Sequence, residues 1–173
     1  MKLNKLIAIA TISLLSGGIS MAQKALNLED IVAGNIIQTK GIGSMTWLKD
    51  GERYSRLENN KQTGGTDIVA YRAKDNSREV IIPSSLLTDK STGRPIPVRS
   101  VSWSADNEKV LIYNNTRRVW RYDTRGDYWV LNLKDGALRQ LGKGMPESSM
   151  MFAKFSPDGT RVAYVSNNNI YVE

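Results

Sequence analysis

Cysteine and histidine are both absent from the 173 residues. Without cysteine there is no disulfide framework, no thiolate nucleophile and no cysteine-held zinc. Without histidine there is no Ser-His-Asp or Cys-His arrangement, no imidazole metal ligand, and not the commonest general base at neutral pH. Hydrolytic chemistry of that kind has to be supplied from outside this chain, and no cofactor or metal is expected in it. Long apolar runs are scarce as well. The most apolar stretch, Leu6 to Leu15, stops at Ser16-Gly17-Gly18, well short of the ~20 residues a membrane span needs, so no stable membrane anchor is expected.

What is present is ordinary for a globular protein: 40% hydrophobic and 24% charged residues, enough for one sizeable core. The net charge of +7 comes from 24 Lys and Arg against 17 Asp and Glu. That excess is dispersed. Only Arg117, Arg118, Arg121 and Arg125 approach a basic stripe, which reads as solvated or site-lining rather than as a nucleic-acid surface. At the N-terminus, a basic Met1 to Lys5, the apolar run and Ser20-Met21-Ala22 have the layout of a secretory signal cleaved after Ala22. With no cysteine beside that site there is no lipoprotein anchor. The expected location is therefore periplasmic or secreted.

Behind the expected cleavage site, Gln23 to Lys40 holds one helix-like piece, Asn27 to Ala33. Asn27 stands at the cap position, Glu29 and Asp30 fall in the first turn, and Leu26, Leu28, Ile31 and Val32 would form a modest apolar face. From Gly41 onward the texture changes to short β-rich segments separated by turn residues. Three of these repeat a pattern in which an aromatic residue precedes an Asp by three positions: Trp47 and Asp50, Trp103 and Asp106, Phe155 and Asp158. The aromatics are 56 and 52 residues apart, a period that argues for blades or solenoid coils.

Each copy predicts strands. The first fits Met45 to Trp47, Arg53 to Glu58, Thr66 to Ala73 and Ser77 to Ile82; the second fits Ser100 to Ser104, Lys109 to Asn114, Tyr128 to Leu133 and Ala137 to Gly142. In the third, Pro157-Asp158-Gly159 sets a tight turn, Val162, Tyr164 and Ser166 alternate against Ala163 and Val165, and Asn167 to Asn169 turn the chain into Ile170-Tyr171-Val172. The aromatic before each turn is expected to anchor the apolar layer between neighbouring sheets. The expected fold is all-β: a partial propeller of about two and a half four-stranded antiparallel blades. Its organisation would be a signal peptide over 1–22, a lead-in over 23–43 and the propeller over 44–173, with blades near 44–90, 98–144 and 149–173. So few blades cannot close a ring, and the chain reads as the front portion of a larger protein.

The second blade carries an anomaly. Between Tyr113 and Tyr128, where a few residues suffice, the chain spends about fourteen, among them Arg117, Arg118, Trp120, Arg121, Tyr122 and Arg125; loops this long in compact domains are more often functional than casual. A guanidinium fork suits a carboxylate or a peptide carbonyl, and Trp120 and Tyr122 could support such a fork by stacking. The alternative is a solvated extension of two strands in which Asp123 and Asp127 neutralise Arg121 and Arg125. Spacing alone leaves both open.

The strings VWRYDTRGDYWVLNLKDG and FSPDGTRVAYVSNNNIYV resemble the early propeller of the dipeptidyl peptidase IV family of serine exopeptidases. The resemblance covers Val98 to Glu173 well and Ser44 to Ile82 weakly, with Val119-Trp120-Arg121 as its discriminating element. It implies an eight-bladed propeller capping an α/β-hydrolase domain, both largely outside this chain, and release of N-terminal dipeptides from peptides with a free N-terminus. It implies that Arg121, flanked by Trp120 and Tyr122, binds substrate by donating to a peptide carbonyl, and that the parent protein forms a homodimer. Tyr122-Asp123 after the Trp-Arg pair departs from mammalian members. The alternative reading is a non-enzymatic periplasmic binding module resembling the Tol-Pal propeller protein, which explains the signal and the repeats but not the long insertion.

The remaining motifs carry less. Arg125-Gly126-Asp127 spells an adhesion tripeptide, and Asn114-Asn115-Thr116 is a formal glycosylation acceptor. The glycine pairs 41/43 and 64/65 open no helix and read as turns, not as a phosphate cradle. Glu58, Asp67 and Asp89 read as surface carboxylates with no evident partner.

Overall fold

The computed structural model describes residues 27, 28, 32, 41 and 43–173. The chain divides into two units, Met1–Gly41 and Ile42–Glu173. In the first, Leu28 and Val32 are helical, within the span where a helix is expected, and both side chains are exposed. The expected signal peptide, residues 1–22, lies outside the described residues. No helix among the described residues is long and apolar enough to cross a membrane.

The second unit is all-β, as expected. Strands β1 (Met45–Trp47), β2 (Arg53–Asn59), β3 (Thr66–Arg72) and β4 (Arg78–Ile82) form a four-stranded antiparallel sheet in chain order. A 3-10 turn, Ser84–Leu87, and a small ribbon of β5 (Thr88–Asp89) and β6 (Arg94–Pro95) lead into the second four-stranded sheet. That sheet comprises β7 (Ser100–Trp103), β8 (Lys109–Val119), β9 (Tyr122–Asn132) and β10 (Leu138–Gln140), and a third contains β11 (Met151–Phe155), β12 (Val162–Ser166) and β13 (Asn169–Val172). The three marker aromatics Trp47, Trp103 and Phe155 thus stand in three successive sheets, each in its first strand.

The turn after each marker is built the same way. The residue following the aromatic donates its backbone amide to the carbonyl five positions on: Leu48 to Arg53, Ser104 to Lys109 and Ser156 to Arg161, at 2.9, 3.0 and 2.8 Å. In the second and third copies, Ser104 and Ser156 donate their hydroxyls to Asp106 and Asp158 (2.6 and 2.5 Å) and accept the amides of Lys109 and Arg161. The carboxylates also accept the amides of Glu108 and Thr160. These bonds, the serine hydroxyl first, hold both carboxyls at about 2, well below their ordinary range. Gly159 closes the third turn at φ 66°, a left-handed conformation that costs glycine little.

Two apolar layers join the sheets. Ile68, Ile82 and Leu87 pack against Val110, Ile112 and Leu131, with Trp103 and Trp129 against them. On the other side Leu111, Tyr128 and Leu141 meet Met150, Val162 and Tyr164, with Phe155 alongside. Because successive side chains of a strand point to opposite faces, β8 sends Val110 and Ile112 one way and Leu111 the other, which explains an apolar run without alternation. Val162, Tyr164 and Ser166 are buried as their alternation predicts. Each sheet also holds one stacked cross-strand tyrosine pair, Tyr54 with Tyr71, Tyr113 with Tyr128 and Tyr164 with Tyr171.

Several expectations are corrected. Trp47 is 61% exposed and packs edge-on against Tyr54 instead of anchoring a buried layer. The 3-10 turn and the β5–β6 ribbon carry no periodic pattern and were not expected. Glu58, Asp67 and Asp89 all have partners. Glu58 accepts from the Tyr71 hydroxyl at 2.6 Å and from Arg78, and buried Asp67 accepts the Ser84 amide at 2.7 Å and Asn60. Asp89 holds its own turn through Ser91 and Thr92. Asn114 is buried, which removes it as a glycosylation acceptor, and burial of Gly126 and Asp127 removes the adhesion tripeptide from the surface.

Candidate functional site: an arginine-tipped arm

The expected fourteen-residue loop is not a loop. β8 and β9 continue as a two-stranded ribbon, each strand 11 residues long, and remain paired as far as Val119 opposite Tyr122. Trp120 and Arg121 alone make the turn. Register shifts fall between Asn114 and Arg117 and between Arg117 and Arg118; such irregularities bend a ribbon and re-aim its side chains.

The arm is fastened close to its tip on one flank and at its root on the other. On one, Tyr113 donates its hydroxyl to the Asp123 carbonyl at 2.9 Å, and the Arg99 guanidinium pairs with the Asp123 carboxylate at 3.1 Å. Burial, followed by the nearby Tyr128 and Asp123, pushes the Tyr113 phenol up to about 12, so it stays a hydrogen-bond donor across the physiological range. On the other flank, Gly126 and Met150 exchange backbone hydrogen bonds at 3.0 and 3.1 Å, and Asp127 accepts the Ser148 amide at 2.8 Å and Asn115 Nδ2 at 2.7 Å. Gly126 is required by space. A Cβ there would lie 2.4 Å from Tyr113 Cε2 and 2.6 Å from the Asn114 carbonyl oxygen.

The three residues singled out from sequence sit together at the tip. Trp120 is 94% exposed and Tyr122 73% exposed, and Arg121 is exposed too. Trp120 occupies the left-handed region at φ 62°, a conformation that costs a bulky residue about 1–2 kcal/mol. The expected stacking of Trp120 or Tyr122 on the Arg121 fork is not formed; among the described residues the cation over a ring is Arg56, on Tyr71. Nor do the arm's aspartates neutralise its arginines. Asp123 is engaged by Arg99 and Asp127 by Asn115 and Ser148, and Arg117, Arg118, Arg121 and Arg125 form no ion pair among the described residues. Arg118, Arg121 and Tyr122 line an open cleft of about 410 Å³ whose far wall includes Ser44, Ser100 and Tyr113. Sequence reasoning missed Arg99, Tyr113 and Ser148 as the residues that hold the arm; a tyrosine at the point where a strand outruns its blade was the one available signal.

The sequence and the fold both have known relatives. A family model described as the dipeptidyl peptidase IV (DPP IV) N-terminal region matches residues 104–173. Over those residues the chain is similar to the N-terminal region of the dipeptidyl peptidase IV family. It is 25% identical over 166 residues to a probable dipeptidyl-aminopeptidase B of Aspergillus terreus, covering 91% of this chain and 18% of that protein. It is 27% identical over 152 residues to dipeptidyl aminopeptidase B of Saccharomyces cerevisiae, covering 82% and 17%. The crystal structure of Porphyromonas gingivalis dipeptidyl peptidase 4 superposes with a TM-score of 0.66 at 22% identity, over 87% of this chain and 20% of that one. This dipeptidyl peptidase IV-like chain therefore spans less than a fifth of the length of these curated relatives. The family match begins at Ser104 and takes in the whole arm together with the third sheet.

Proposed function

We propose that this chain is the front of the propeller of a secreted or periplasmic serine-type dipeptidyl peptidase, in which the propeller gates access and Arg121 positions the peptide. The hydrolase machinery comes from a separate α/β-hydrolase domain of the same protein, since this chain has neither histidine nor cysteine. One observation carries the reading: an arginine with no ion-pair partner among the described residues stands at the end of an arm fastened at its root through Asp127 and close to its tip through Asp123. A guanidinium in that position has all five N–H donors available and keeps its charge, which suits it to a peptide backbone carbonyl. Trp120 and Tyr122 supply exposed ring faces on either side, against which the peptide packs.

The arm's rigidity matters to the energetics. Fixing the arginine before substrate arrives removes part of the ordering cost that binding would otherwise incur. The test is Arg121→Ala in the full-length protein, assayed on a dipeptide-releasing substrate. We expect kcat/KM to fall by the equivalent of about 1.5–3 kcal/mol, the usual worth of a hydrogen bond from a charged group. Unchanged kinetics would remove Arg121 from the site.

A further inference from the structure

Arg118 stands opposite Asp123 in the register of the arm, where a cross-strand ion pair would ordinarily form. That pair is not made. The Asp123 carboxylate is taken instead by Arg99, which reaches it from outside the arm at 3.1 Å, and the exposed Arg118 guanidinium has no hydrogen bond or ion pair among the described residues. Nearer the root, Arg117 lies opposite Arg125, and like charges set against each other on a ribbon are destabilising. Neither pairing helps the arm to form. Departures of this kind from local rules are found chiefly at functional sites.

Arg118 and Arg121 line the same open cleft, whose volume of about 410 Å³ is in the range of small-ligand sites. Arg99 lines it too, so three guanidiniums face the one carboxylate of Asp123, which Arg99 already holds. The cleft is positive on balance. Ser44 and Ser100 are also on its wall, and their hydroxyls make no hydrogen bond among the described residues, which leaves them able to donate to a ligand. The lining therefore offers donors that the fold itself does not use.

Unused donors and an excess of positive charge suit a planar anion with two oxygens, which a guanidinium meets with paired hydrogen bonds. We propose that Arg118 determines specificity by binding a carboxylate of the peptide while Arg121 donates to its backbone, an inference that rests on the reading of the arm as a peptide-binding element. The carboxylate belongs to an acidic side chain or to the peptide's C-terminus, which present the same group. Because Arg118 is exposed, the attraction is screened by salt.

The test is calorimetric titration of the full-length protein with three short peptides, N-acetylated so that no dipeptide is released. The first carries a Glu and an amidated C-terminus, the second has Gln in place of Glu, and the third is the Gln peptide with a free C-terminal carboxylate. We expect at least one anionic peptide to bind about ten-fold more tightly than the neutral one, the ratio that corresponds to one charged hydrogen bond. Which of the two does so identifies the source of the carboxylate, and the gap should narrow as salt is raised. Arg118→Gln should bring the anionic peptides to the level of the neutral one with the melting temperature unchanged, and Arg118→Lys should keep part of the preference. Equal binding of all three peptides, no saturable binding, or a preference that survives Arg118→Gln would overturn the proposal. Arg121→Ala separates the two roles. It should weaken all three peptides alike; if it weakens none, the backbone contact assigned to Arg121 falls, whereas a preference lost in Arg118→Gln stands.

Discussion

Tyr113, at the root of the arm, donates its hydroxyl to the backbone carbonyl of Asp123, 2.9 Å away on the opposite strand and close to the tip. The same ring stacks on Tyr128 with centroids 4.7 Å apart. One side chain thus ties the free part of the ribbon to the part buried in the sheet, and its contributions can be separated.

Tyr113→Phe removes the hydroxyl and leaves the stack. Stability should fall by about 1 kcal/mol, as for one neutral hydrogen bond. Hydrogen exchange should quicken at the amides of residues 115–125 with little change in the first sheet. Both are read from chemical denaturation and exchange mass spectrometry; uniform protection across the arm would show that Arg99 and Asp127 suffice to hold it.

Gly126→Ala tests the close approach. Its Cβ would meet a tyrosine ring at 2.4 Å and a backbone oxygen at 2.6 Å, and the backbone cannot swing aside as a flexible side chain would. The expected cost is about 3 kcal/mol, at the upper end for overpacking. The midpoint of a denaturant titration measures it, and a loss within error of zero would mean that the Gly126–Met150 bridge is looser than its geometry.

Trp120→Gly sets stability against binding. Glycine relieves the about 1–2 kcal/mol of left-handed strain but gives back about 0.5–1 kcal/mol in chain entropy, and the indole it removes is 94% exposed. The net result should be a gain of about 0.5 kcal/mol, together with weaker peptide affinity. A protein that is stabilised yet binds peptide as before would dissociate the strained turn from recognition.

Acid sensitivity should trace partly to the repeated turns. Asp106 and Asp158 have folded pKa values depressed from an ordinary 3.8 to about 2. Their contribution to stability is therefore present above the ordinary carboxyl value and is lost as the pH falls toward about 2. The double variant Asp106→Asn with Asp158→Asn should show a shallower decline of stability across that window. Parallel pH curves for the two proteins would assign acid unfolding to other carboxylates, with buried Asp67 the next to examine.

The strands of the three sheets were largely legible in the amino-acid order. Arg53 to Glu58 was expected and Arg53–Asn59 is found; Thr66 to Ala73 was expected and Thr66–Arg72 is found. Alternation over Val162 to Ser166 and the turn chemistry of Asp158-Gly159 act over a few neighbouring residues, so reading them needs no knowledge of the rest of the fold. The same locality exposed the arm as an excess of basic and aromatic residues. It did not show that the excess was paired strand.

By itself, then, the order of residues determined an all-β chain of repeated turns and sheets, without the side chains for triad chemistry, and with an arginine-rich insertion between Tyr113 and Tyr128. Which partners those residues take was decided only by the tertiary structure. Arg99 meets Asp123 from 24 positions away, Ser148 meets Asp127 from 21, and the Asn114 carboxamide oxygen is left with no partner among the described residues. Propensity and turn chemistry are written into adjacent residues, whereas an ion pair or an unmatched acceptor depends on distances that exist only once separate sheets have stacked.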